Sequence, residues 1–183
     1  MSIEKRKKRT RDLTLCAIIS ALCVLVLLLG SVFDVFDLTA AMIASIFCAV
    51  TVIEVGRFWP WLTYATVTVL SLILLPNKLP AAVFLLTGYY PIIKQKLERL
   101  KKSVSWILKI LIFNAISTAF FFICKLFFTN VDLMLLPSAG KTLNIVLGYA
   151  LGNLVFVFYD IALSKIITYY VFVLRNRLKI GKK

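Results

Sequence analysis

The sequence contains no histidine. That excludes a His-based catalytic triad and any zinc site with a His ligand. Acidic residues are scarce: 8 Asp+Glu face 22 Lys+Arg, for a formal net charge of +14. Charged residues make up only 16% of the chain, against about 25% in an ordinary soluble domain. No P-loop, Gly-rich dinucleotide fingerprint, kinase signature, carboxylate-rich metal motif or internal repeat is present. The chain therefore carries no nucleotide-hydrolysing apparatus of its own and calls for no cofactor. Cys16, Cys23, Cys48 and Cys124 all lie inside apolar runs and form no C-x-x-C pair, which reads as packing and not as a metal site or disulfide.

What the sequence has instead is apolar length. Of its 183 residues, 61% are hydrophobic, and the mean hydropathy is +0.95. Six apolar segments can be marked, at 13–33, 39–56, 59–75, 80–93, 104–128 and 143–164. Backbone polar groups in lipid must pair within the chain, so runs this long predict helices, and they lack the alternation of barrel strands. The expectation is an all-α integral membrane protein, a single domain over 1–183 with six transmembrane helices in one bundle. The first segment follows a basic stretch but is too long for a signal-peptide core, and it reads as a retained span.

The positive charge falls between the apolar runs, which makes topology its first explanation and leaves no folded soluble surface for nucleic acid. Lys5, Arg6, Lys7, Lys8, Arg9 and Arg11 precede the first segment. Arg57, then Lys94, Lys96, Arg99, Lys101 and Lys102, then Arg175, Arg177, Lys179, Lys182 and Lys183 fall on the same side when six spans are threaded. Only Lys78, Lys125 and Lys141 fall on the other. The positive-inside rule then predicts that both termini are cytoplasmic. Arg57-Phe58-Trp59-Pro60-Trp61 and Tyr89-Tyr90-Pro91 read as aromatic anchors at the inner interface. Glu54 and Arg57, three apart, are spaced for a local ion pair. The stretch 92–102 is amphipathic, with Ile93, Leu97 and Leu100 on one stripe, and suits a helix lying on anionic membrane lipid.

Two segments have awkward lengths. Segment 80–93 would span about 21 Å, short of a roughly 30 Å hydrocarbon core. It must thin the bilayer, be sheltered by neighbours, or continue as helix into the charged stretch. Segment 143–164 runs on through Ile166–Leu174, so the last helix is longer than a span needs. Within it Asp160 is the costliest residue by position, at about 2.5–3.5 kcal/mol for a charge at a helix centre. It requires a partner, protonation or a place nearer the interface.

Ala17 and Ala21 stack on one face of the first helix, four residues apart. Small residues at that spacing let another helix backbone approach closely. Ala40/Ala44, Ala41/Ser45, Ala115/Ala119 and Gly148/Gly152 share the spacing, and most such pairs pack a protein's own bundle. The basic N-terminus followed by Arg-x-Leu-x-x-x-Ala-x-x-x-Ala at 11–21 opens a chain of six predicted spans. In this it resembles the substrate-specificity (S) component of energy-coupling factor (ECF) transporters. The resemblance is one of architecture over the whole chain and of motif over 11–21. It implies that Ala17 and Ala21 form the docking face for a transmembrane coupling subunit, itself joined to two ATPase subunits. It also implies a multi-pass protein of the bacterial plasma membrane that takes up a small nutrient, a vitamin or its precursor, without being an enzyme.

The same resemblance implies a small-molecule pocket near the outer face, built from helix ends and loops. The polar residues available there are Asp34, Asp37, Asn77, Lys78, Lys125, Asn130, Asp132, Lys141 and Asn144. Each taken singly reads as a solvated loop residue; as a set they are what a ligand would have to meet. Asn144, Gly148 and Gly152 share a face of the last helix with Tyr149 adjacent, either to open a cavity or for close packing. The expected substrate-binding set is Asn144, Asp34, Asp37, Asn77, Lys78, Asp132, Lys141 and Tyr149. A non-transporting assembly protein, such as the MreD-like cell-shape proteins, is the alternative; it would use the small-residue faces for permanent partners and need no outer pocket. An intramembrane enzyme would want clustered carboxylates or hydroxyls, for which only Asp160 and Glu54 are candidates.

Overall fold

The computed structural model describes residues 3–33, 36–56, 58–127 and 141–174. Every regular element among them is helical: α1 (Ile3–Val32), α2 (Asp37–Glu54), α3 (Trp59–Leu74), α4 (Leu79–Thr87), α5 (Tyr90–Leu97), α6 (Lys102–Phe127) and α7 (Lys141–Tyr169), which ends in a π-helical turn at Tyr170–Leu174. Three helical runs are long and apolar enough to cross a membrane, Arg6–Val32, Asp37–Glu54 and Thr142–Val173. Trp59–Leu74 and Ser103–Ala119 are apolar but shorter. Large side chains such as Leu25, Ile73, Leu111, Val146, Leu154 and Phe158 are exposed along these helices. Apolar exposure on this scale suits a lipid environment and not water.

The chain divides into two compact units, residues 1–96 with 165–183, and residues 97–164. In the first, α1 packs on α2, α3 and α4, and α2 also packs on α3 and α4. The buried stripe of α1 is Cys16, Ile19, Ser20, Cys23, Leu27, Gly30 and Ser31, at helical spacing. It meets Ala40, Ala41 and Ala44 of α2, all buried. The approach is close: the Cys23 thiol donates to the Ala44 carbonyl at 3.3 Å. A Cβ on Gly30 would overlap that of Ala40, so glycine is required there. The small residues of α2 thus pack the chain's own helices, and close backbone approach replaces the hydrophobic drive that lipid does not supply.

Four buried hydroxyls are satisfied on their own helices, whereas Thr68 Oγ1 is buried without a hydrogen-bond partner. Ser45 donates to Met42 O, Thr51 to Cys48 O, Thr63 to Trp59 O and Ser71 to Thr68 O. This back-bonding lets them sit among apolar neighbours at little cost. Segment 80–93 forms two helices divided at Gly88–Tyr89, and the second runs on to Leu97. The division leaves Leu85 among the last carbonyls of α4, which lack partners within their helix. Tyr64 of α3 donates to it at 2.9 Å.

Several interface expectations shift. Tyr89 and Tyr90 are buried, and Leu100 lies beyond α5 and is exposed. Lys94, expected in solvent, is 1% exposed, with its Nζ 5.6 Å from the Tyr90 ring centroid. Glu54 accepts from the Tyr170 hydroxyl at 3.4 Å, while Arg57 lies outside the described residues.

Candidate functional site

At one pole of the first unit, the end of α1 that leads to α2, Asp37 and Asn77 come together. Asn77 Nδ2 donates to Asp37 Oδ2 at 3.1 Å, and Asn77 Oδ1 accepts from the Leu79 amide at 3.0 Å, so one side chain ties α2 to the entry of α4. Lys78 Nζ donates back to the Leu75 carbonyl. Asp37 Oδ1 is buried without a hydrogen-bond partner. Of the residues named from the sequence, Asp37 and Asn77 are in direct contact, and Lys78 follows Asn77 in the same turn. Asp34, Asn130 and Asp132 lie outside the described residues, as do the side chains of Lys125 and Lys141.

Asn144 and Tyr149 belong to the second unit. Asn144 is 3% exposed, near the start of α7. Tyr149 shares a 2.7 Å hydrogen bond with the Thr118 hydroxyl of α6. One turn on, Asn114 and Asn153 exchange amide hydrogen bonds, with Nδ2 to Oδ1 distances of 2.9 and 3.0 Å. Each amide also donates to its own helix, Asn114 to Ile110 O and Asn153 to Tyr149 O, both at 2.8 Å. Phe113 and Phe156 stack next, their centroids 4.4 Å apart. Lys109 then meets Asp160, with Nζ to carboxylate distances of 3.0 and 3.2 Å. The pairing runs up one helix as it runs down the other, so α6 and α7 are antiparallel.

The Lys109–Asp160 pair is the feature the sequence reading missed. Asp160 needed one of three remedies, and it has a partner. The two side chains are 5% and 4% exposed, and Glu98 lies 3.6 Å from the same Nζ while 50% exposed. The Trp106 ring centroid is 5.4 Å from that ammonium. Paired charges of this kind can be buried where a lone one cannot. Among the described residues no group of three or more Cys, Asp or Glu is placed to hold a metal ion.

On α1 the stripe is two-sided. Ala17 and Ala21 are exposed, whereas Cys16, Ile19, Ser20 and Cys23 between and beside them are buried. The pair lies on the face that α2, α3 and α4 leave uncovered. Toward the N-terminus, Arg6, Lys7, Thr10, Arg11, Thr14, Leu15 and Ile18 line a shallow groove on the same helix.

No family model, curated protein sequence or solved structure matches the chain.

Proposed function

We propose that the chain is the substrate-binding membrane subunit of an ECF-type nutrient uptake transporter, crossing the membrane six times with both termini in the cytoplasm. One observation carries the reading: Ala17 and Ala21 are exposed side by side on a helix whose other face is buried, while the equally spaced Ala40 and Ala44 are buried within the first unit. A small-residue pair left outside its own bundle suits a second backbone. In this reading a coupling subunit docks there, two ATPase subunits supply the energy, and the bundle reorients to release its cargo inside. The substrate is a small nutrient, a vitamin or its precursor. It is held toward the outer face; in the first unit the contact of Asp37 with Asn77 supports this, and in the second the buried Asn144 is the candidate.

The assembly-protein reading draws support from a different observation. Thr118, Asn114 and Lys109 are each engaged with a partner on α7, which makes an interlocked helix pair. Purification from the native membrane with partners retained, followed by mass spectrometry of proteins and small molecules, separates the two. The transport reading expects a multi-span coupling protein, two ATPases and one bound metabolite. Co-purification with cell-envelope assembly proteins and no bound metabolite would reverse the choice.

A further inference from the structure

A cavity of about 380 Å³ opens where α2, α3 and α5 meet in the first unit. Its walls are apolar and aromatic: Val52, Phe58, Pro60, Trp61 and Ile92. Its polar members are Gln95 and Lys96, both exposed. Gly56 forms the floor of the turn between α2 and α3. Its φ of +63° is one that side chains rarely adopt, and a Cβ there would find only Val52 O, at 3.7 Å, so the space beside it stays open. The α3 helix begins among the same lining residues, where the Trp61 and Leu62 amides donate to Phe58 O and Pro60 brings no N–H.

The cavity therefore joins two kinds of wall. Most of the lining is apolar, and Trp61 is of the type that sits at headgroup level. The remaining lining carries a cation, Lys96, and an amide, Gln95. In sequence Lys96 lies within the basic stretch 94–102. A ligand matching both kinds of wall is an amphiphile with an anionic head. The volume is at the small end for ligand sites and has room for the upper part of one acyl chain.

We propose that this cavity is a stoichiometric site for one anionic phospholipid, with an acyl chain against Trp61, Pro60 and Ile92 and the phosphate on Lys96 and Gln95. The inference does not rest on the transport reading. It also differs from general attraction of a basic segment to lipid, because it assigns Lys96 a role that Lys101, which does not line the cavity, lacks.

The test uses the full chain, delipidated in neutral detergent and titrated with phosphatidylglycerol, with phosphatidylcholine and with inorganic phosphate, bound lipid being counted by native mass spectrometry. One phosphatidylglycerol should bind at a concentration several-fold below that needed for phosphatidylcholine, and inorganic phosphate should not displace it. Lys96→Gln should weaken phosphatidylglycerol binding roughly fivefold, the usual worth of one basic residue at an anionic lipid surface. Lys101→Gln, the same charge change in the same segment, should change it less than twofold. Trp61→Ala should weaken both lipids together, and thermal melts should show each variant folded. A Lys96→Gln effect no larger than that of Lys101→Gln, equal binding of the two lipids, or displacement by inorganic phosphate would each overturn the proposal.

Discussion

Replacing Asp160 by Asn leaves the Lys109 ammonium buried beside a neutral amide. The structure sets the size of the penalty. Both partners are almost fully buried, and two hydrogen bonds of 3.0 and 3.2 Å are lost or weakened. Breaking a buried pair from one side costs about 3–5 kcal/mol, most of it the uncompensated charge. Glu98 at 3.6 Å and the Trp106 ring remain near the ammonium in this variant, which argues for the lower end of that range. At roughly 2–4 °C per kcal/mol for a chain of this size, the melting temperature in detergent should fall by roughly 10 °C. The double variant Lys109→Met, Asp160→Leu removes both charges at similar volume and should recover most of the loss, because two charges no longer need to be taken out of water. A complete double-mutant cycle by differential scanning fluorimetry reads the coupling directly. Additive losses, or an Asp160→Asn variant as stable as the parent, would refute the claim that this pair holds α6 to α7.

Three further outcomes can be checked separately. Gly30→Leu forces a side chain into the space of Ala40 and should cost at least about 1–3 kcal/mol of stability, measured by melting, while Ala17→Leu on the uncovered face should cost almost nothing. Asn144→Leu should weaken the metabolite found in native purification by roughly tenfold to a hundredfold, since it strands a polar group on a buried ligand; calorimetry that finds unchanged affinity and a lowered melting temperature would assign Asn144 a packing role. Cysteine introduced at Gln95 should be labelled only from the cytoplasmic side, and labelling from outside intact cells would overturn the six-span threading.

Much of the helical layout is readable from apolar length alone. Segments 39–56 and 59–75 differ from α2 and α3 by a residue or two at each end, and 104–128 falls almost on α6. The basic stretch before the first apolar segment is also helical, which hydropathy does not report, since a helix outside lipid needs no apolar residues. The division of segment 80–93 was not legible either: Gly88 fits a continuous helix as well as a turn. Partner choice is where a single sequence runs out. Ala17/Ala21 and Ala40/Ala44 have identical spacing, and only packing separates the exposed pair from the buried one. For Lys109 and Asp160 a signal was present. They are opposite charges near the start of one apolar segment and near the end of the next, and antiparallel neighbours would put them at one depth. The Asn114–Asn153 exchange has no such signature, because an Asn on an apolar helix serves equally well bonded to its own carbonyls.

The central claim is that the uncovered Ala17/Ala21 face receives a coupling subunit. Ala17→Trp and Ala21→Trp each place a ring where a methyl permits close backbone approach, on a face that no other helix of the first unit covers. The direct measurement is the yield of coupling subunit and ATPases recovered with each affinity-tagged variant, alongside its melting temperature and metabolite content. The account predicts that both variants fold, keep their metabolite and lose the partner subunits. Normal recovery of the partners with both variants would contradict it.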